Sequence, residues 1–208
     1  MQTNKVFIIG LPRTATTSVC QATVQLGFTT AHTAYTQATF EQAQVIADTP
    51  IFCDYQHLDK QYPGAKFIYL ERAPERWLPS IRQLLNRMLP NLQRNDGGFN
   101  PVIKRCYNQV FWPLNQQNLA CDDFLLACYQ RHYQEARQYF ASREKDLLCI
   151  DVAKADSFGR LLTFLGVTDA TVTEFEHINR GGKVTAWKQV KSPLKIASTR
   201  NGRVDGVS

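Results

Sequence analysis

The chain has 208 residues, 44% of them hydrophobic and 20% charged, with a formal net charge of +6. This is the composition of a soluble globular protein, long enough for one domain with a real core. No apolar run approaches the ~18 residues of a membrane span, and the opening MQTNKVFIIG is not a signal peptide, so a cytoplasmic location is expected. The six cysteines (Cys20, Cys53, Cys106, Cys121, Cys128, Cys149) are scattered without a CxxC, which favours reduced core residues over bridges or zinc ligands.

The first element is a short, mostly β-branched run, Val6 to Ile9, read as a buried strand. Gly10 breaks it, Pro12 stiffens the turn, and Arg13, Thr14, Ala15, Thr16, Thr17 and Ser18 open a segment of helical spacing (Val19, Thr23, Leu26). A strand, a small-residue loop and a helix start form an anion site: free amides point at the anion, the helix dipole adds positive potential, and Arg13 adds a full charge. The loop is near a GxxxxGK[ST] phosphate loop but lacks its second glycine and its lysine, Ala15 and Thr16 standing there. It suits a phosphate without the usual equipment for splitting ATP or GTP. The plainer alternative is an ordinary strand, turn and helix with a polar cap.

Further along, Gly27 stops the first helix and Thr29 to Ala34 is a weak strand candidate. The segment from Gln37 to Ala47 reads as a helix, PIFCDY (Pro50 to Tyr55) as a buried strand, and Leu58 to Tyr62 as a short helix. Lys66 to Leu70 is the clearest strand after the first, and Pro74 begins a helix to about Met88 with Trp77, Ile81, Leu84, Leu85 and Met88 on its buried face. Asn91 to Asn100 reads as a loop. Pro101 to Asn118 is mixed and aromatic (Tyr107, Phe111, Trp112), and the aromatic segment from Phe99 to Trp112 lines a ligand pocket or, more simply, packs in the core. Asp122 to Ala141 is a long helix with His132 on its apolar side, a satisfied core histidine. Leu147 to Val152 is a strand and Phe158 to Leu165 a helix stopped by Gly166. Strands alternating with helices predict an α/β protein, a central parallel sheet flanked by helices in three layers, with ligands at the carboxyl ends of the strands.

Two further constellations follow. Arg72 stands at the carboxyl end of the clearest strand with Ser80 eight residues on, a pair able to meet one phosphate. Arg180, Gly181 and Gly182, followed by Lys183, Trp187 and Lys188, begin a run of seven Lys or Arg to Arg203 without an acidic residue. That run reads as a solvated tail, a nucleic-acid contact or a wrap around a polyanionic small molecule.

With these residues in view, the chain resembles the sulfotransferases that use 3′-phosphoadenylyl sulfate (PAPS), in particular the bacterial-type members. Gly10-Leu11-Pro12-Arg13-Thr14-Ala15-Thr16-Thr17-Ser18 matches their first motif GLPRTGTTS except for Ala15 in place of Gly. Arg72 and Ser80, then Arg180, Gly182, Trp187 and Lys188, follow in order and spacing, with Thr185 and Ala186 departing from the family's Gly and Asp. The resemblance runs from Lys5 to about Lys188 and implies a single P-loop NTPase-like domain over 1–208, its basic segment 180–208 covering the cofactor site. It implies transfer of the sulfuryl group of PAPS to a hydroxyl or amine acceptor by in-line displacement. PAPS is the donor, adenosine 3′,5′-bisphosphate (PAP) the product, no metal is required, and the acceptor is a small molecule or carbohydrate rather than nucleic acid. Pro12 to Ser18, Arg72, Ser80 and Arg180 to Gly182 would bind the donor. Two anion pockets, one at Arg13 and one between Arg72, Ser80 and Arg180, are expected a nucleotide's length apart. Arg13 would stabilise the leaving group. The family places the base around the strand before the Arg72 strand, giving Asp54 first, His57 second and His32 third. The competing classes are a nucleotide kinase or NTPase of the related fold and a non-enzymatic or decayed nucleotide or nucleic-acid binder. The acceptor's identity and the oligomeric state are not encoded legibly.

Overall fold

The computed structural model describes residues 5–175 and 186–205. Five parallel strands form one sheet in the order β2-β3-β1-β4-β5: β1 (Val6–Ile8), β2 (Thr30–Ala31), β3 (Val45–Ala47), β4 (Lys66–Glu71) and β5 (Leu147–Asp151). Helices connect them: α1 (Thr16–Gln25), α2 (Gln37–Gln42), α3 (Ile51–Gln61), α4 (Pro74–Gln93), α5 (Pro101–Val110), α6 (Gln116–Ala120), α7 (Asp122–Tyr139), α8 (Ser157–Leu165) and α9 (Ala186–Gln189). The α/β expectation holds, with an all-parallel sheet covered on both faces.

The register explains the layers. Phe7 lies beside Ile46 and Phe67, while Val6 and Ile8 lie beside Val45, Ala47 and Ile68. Alternate residues point to opposite faces. Ile8, Ala47, Ile68, Leu70 and Ile150 meet α1 and α8 through Val19, Cys20, Phe158 and Leu161. Phe7, Ile46, Phe67 and Tyr69 meet α3 and α7 through Ile51, Tyr55, Ala136 and Phe140. A third cluster, built on Trp77, Ile81, Leu85, Tyr107, Phe111 and Leu125, joins α4, α5 and α7 beyond the second face. Gly10 sits where β1 leaves the sheet. A Cβ there would lie 2.7 Å from Leu70 Cβ and 2.8 Å from the Leu70 backbone nitrogen and oxygen, so the position accepts only glycine.

Two predicted elements are corrected. PIFCDY is not a strand but the start of α3, and its apolar residues Ile51, Phe52, Tyr55 and Leu58 have helical spacing and are all buried. The helix predicted over 37–47 ends at Gln42, where Ala43 turns extended, and Val45–Ala47 becomes β3, buried throughout between β2 and β1. In addition, α4 continues past Met88 to Gln93, with Pro90 inside it.

His132 is the core residue expected. Its Nε2–H donates to the Phe52 carbonyl at 2.7 Å, so Nδ1 is the acceptor for the Tyr69 hydroxyl at 2.9 Å, and the neutral ring is fully used. Burial holds its pKa down to about 4, against a free value near ~6.5. As pH falls the unfolded chain takes up the proton first. This group's contribution, complete above about pH 6.5, is therefore lost toward pH 4, amounting to about 3 kcal/mol. Urea melts at pH 7 and pH 4.5 should show a smaller acid loss in His132→Gln than in the parent; equal losses would remove His132 from this role.

Candidate functional site

β1 delivers the chain into a loop whose backbone is unusual at two places. Arg13 has φ 73° and Ala15, the residue before α1, has φ 75°. Both are left-handed, a conformation that costs a residue with a Cβ roughly 1–2 kcal/mol. Neighbouring elements impose the shape. Trp77 Nε1 from α4 donates to the Pro12 carbonyl at 3.0 Å, and Arg72 Nη1 from the end of β4 donates to the Arg13 carbonyl at 2.6 Å. The Thr14 hydroxyl donates back to the Leu11 carbonyl at 2.7 Å. Trp77 is in turn packed on Tyr129, their ring centroids 4.8 Å apart, and the Tyr129 hydroxyl accepts from the Arg72 amide at 3.0 Å.

Within α1 the Ser18 and Val19 amides turn back to the Ala15 carbonyl, so the amides of Thr16 and Thr17 precede the first intrahelical bonds. The Thr17 and Thr16 hydroxyls lie 3.0 and 3.3 Å from His32 Nε2, just after β2. Burial holds the His32 pKa down, keeping the ring neutral at neutral pH.

The loop faces a cleft of about 960 Å³ at the carboxyl ends of the strands. This lies near the upper end of the range for ligand pockets, with room for a nucleotide-sized compound and a second one beside it. Pro12 to Ser18 form its floor. Asp48 after β3, Glu71 and Arg72 at the end of β4, and Asp151 at the end of β5 follow the strand order, with Trp187, Lys188 and Ser198 on the far wall. Trp187 packs on His32 at 5.8 Å between ring centroids, and Lys195 lies 5.1 Å over Trp187. The chain after α9 runs beside β2. Thr30 exchanges backbone bonds with Leu194 and Ile196, Tyr35 donates to the Ser198 carbonyl, and Asp205 donates to the Tyr35 carbonyl. Residues 194–196 thus line the sheet edge and Ser198 the cleft, so this part of the basic run is not a free tail.

Arg13 is half-buried. Its charged form is disfavoured first by burial, then by Arg72 and Arg87, with Asp48 among the groups acting the other way. A guanidinium in this position gains from an anion in the cleft.

Of the site residues expected from sequence, Pro12 to Ser18 and Arg72 come together in this cleft. Ser80 does not line it; its hydroxyl accepts from Arg13 Nε at 2.7 Å. Arg13 is thus bonded to Ser80 through its side chain and to Arg72 through its carbonyl, while the second expected pocket, between Arg72, Ser80 and Arg180, includes a residue outside the described ones. Arg180, Gly181 and Gly182 lie outside the described residues. Asp54 and His57 are on α3 because PIFCDY is helical, and they face a separate cavity of about 360 Å³. Asp54 is held there by both arms of Arg105, at 2.8 and 2.6 Å.

The carboxylate at the end of the strand preceding β4 is Asp48, with φ 55° and the neighbouring Thr49 hydroxyl donating to it at 3.1 Å. Sequence reasoning missed it by carrying the preceding helix through Ala47. The signal was present: an apolar triplet, Val45-Ile46-Ala47, closed by an acid and a Thr-Pro. Tyr35 and Tyr107 also line the cleft near Asp48; Tyr107 belongs to the aromatic segment read as pocket lining or core, and Tyr35 was not singled out. Among the described residues, no cluster of His, Cys, Asp and Glu could hold a metal ion, and no helix is long and apolar enough to cross a membrane.

Ala15→Gly tests the loop directly. It releases about 1–2 kcal/mol of left-handed strain and returns about 0.4–1 kcal/mol to the unfolded chain's entropy. A gain of up to about 1.6 kcal/mol, or up to roughly 3–6 °C in Tm, is expected by thermal melting; a Tm lowered by the change would mean the loop carries no strain at this position.

A family model described as a sulfotransferase domain matches residues 5–39 and 31–184. No curated protein matches the chain.

Proposed function

Because the chain belongs to the sulfotransferase-domain family, we propose that its cleft moves the sulfuryl group of PAPS to a hydroxyl or amine acceptor, with PAP as the product. The observation that carries this reading is that the anion-binding loop and the strand-end carboxylate Asp48 open onto one cleft.

The donor set fits a phosphosulfate. The Thr16 and Thr17 amides and the crowded Arg13 guanidinium offer hydrogen to an anion at the positive end of α1. Bound there, PAPS supplies an activated sulfur whose bond to the 5′-phosphate oxygen breaks as the acceptor oxygen or nitrogen bonds to it. Arg13 stabilises the charge that grows on the 5′-phosphate, and Ser80, accepting from Nε, fixes the direction of the guanidinium. The Ser80 hydroxyl keeps its own proton to donate. We assign Arg72 and Ser80 to the 3′-phosphate side, together with Arg180, Gly181 and Gly182. Trp187 and Lys188, from the basic segment, cover the donor.

Asp48 takes the acceptor's proton. Its charge is felt by Arg13, His32, Tyr35 and Tyr107, which places the carboxylate at the meeting point of loop and cleft wall. His32 Nε2 is engaged with Thr16 and Thr17, so its part is to hold the loop hydroxyls. Asp54 and His57 are set aside on their separate cavity and the Arg105 ion pair. The six unpaired cysteines suit a reducing compartment, and we place the reaction in the cytoplasm.

Calorimetry with PAP and with ATP should show PAP binding at least about tenfold tighter; preferred ATP binding with Mg²⁺-dependent turnover would replace this reading by the kinase one. In a PAPS turnover assay, Arg13→Ala should lower kcat by about 10²–10³. Its PAP affinity should change less, and equal activity would remove Arg13 from the role. Asp48→Asn, of the same shape, should lower kcat by about 10²–10⁴ at unchanged PAP affinity. If it turns over at the parent rate, the base is another residue.

A further inference from the structure

Past Arg13 the cleft is a slot lined by one face of α4 and by the segment that leads into and along α5. On α4, Ser80, Leu84 and Met88 are spaced four apart and share one face, beginning at the residue bonded to Arg13. Leading into and along α5, Phe99, Ile103 and Tyr107 repeat the same spacing. Leu84, Met88, Phe99, Ile103 and Tyr107 all line the cleft, and the first four are half-buried against the core, leaving apolar surface turned to the opening. Eight residues of helix rise about 12 Å, which sets the slot's length. Its polar groups are gathered at the inner end, where Tyr107, Tyr35 and Asp48 meet Arg13. Arg87 is exposed on α4 nearby, and its charge acts on Arg13.

We propose that this slot receives the acceptor, and that the acceptor is a slender apolar compound with one hydroxyl at its leading end, not a carbohydrate. A sugar entering between Leu84, Met88, Phe99 and Ile103 would leave its ring hydroxyls facing carbon, unpaired and out of water. A phenol with an apolar substituent at the far side of its ring satisfies both regions. Its body is covered by the apolar residues that line the slot and its hydroxyl arrives beside Asp48. The part played by that hydroxyl rests on the sulfuryl-transfer reading; occupancy of the slot does not.

The test is calorimetric titration of the full chain with 4-phenylphenol and with N,N′-diacetylchitobiose, each with and without PAP. 4-Phenylphenol should bind and the disaccharide should not. Met88→Asp and Ile103→Asp should each weaken 4-phenylphenol at least tenfold. Ile103→Trp, which keeps the wall apolar while filling the slot, should do the same at unchanged Tm, separating occlusion from unfolding. No binding of 4-phenylphenol, equal binding by all variants, or tighter binding of the disaccharide overturns the proposal. A turnover assay with PAPS then separates the two readings. Binding in the slot without transfer sinks sulfuryl transfer and leaves the slot standing, whereas transfer to the disaccharide alone sinks the slot and leaves sulfuryl transfer standing.

Discussion

Two hydrogen bonds to carbonyl oxygens hold the loop on which the site depends: Trp77 Nε1 to Pro12 and Arg72 Nη1 to Arg13. They oppose two left-handed residues, Arg13 and Ala15, whose combined cost is roughly 2–4 kcal/mol. A buried neutral hydrogen bond contributes about 1 kcal/mol and one from a charged group about 1.5–3 kcal/mol, so the pair is of the size required. The donors come from β4 and α4, elements some sixty positions later in the chain. The shape of the loop is thus a product of the β1–β4 pairing and not of the loop alone. Gly10 makes that pairing close enough, since any larger residue would meet Leu70.

The strand order places the chemistry. β1 lies between β3 and β4, so the ends of those three strands present Asp48, the loop and Arg72 side by side. This is the carboxyl edge of a parallel sheet, where loops from neighbouring strands converge. The charged form of Arg13 is disfavoured first by burial and then by Arg72 and Arg87, and that of Arg72 first by burial and then by Arg76. Such an arrangement holds unspent electrostatic free energy that an anion releases on binding. Apolar surface on α4 and α5 begins one helical turn from that charge, so a polar and an apolar ligand region adjoin within one cleft.

The α/β class, the loop and Arg72 were legible because each rests on local chemistry: an apolar run, a break, and a cation at a strand end. The strand at Val45–Ala47 was not. Three residues are too few for period-two alternation to show, and the triplet follows α2 after a gap of only two residues, Ala43 and Gln44. PIFCDY failed for the reverse reason, since a short apolar run fits a buried strand or one face of a helix equally well. Those two errors together drew attention from Asp48, which lines the cleft, to Asp54, which lines the separate cavity. Ser80 was correctly placed on a helix after the Arg72 strand, but its contact with Arg13 is a relation between side chains 67 positions apart, which no local pattern encodes. The α5 residues were read as pocket lining or core without a choice between them, because the choice depends on α4 lining the same cleft.

The pairing of Thr30 with residues 194–196 gives the sheet's first edge a partner supplied from far down the chain. The Thr39 hydroxyl reaches the Ala197 carbonyl across 158 positions of sequence. During vectorial synthesis β2 is therefore left with a bare outer edge long after β1, β3 and β4 can assemble. An open parallel edge is a template for strands of other molecules. Covering that edge and supplying Ser198 to the cleft wall therefore depend on the same short stretch, 194–198.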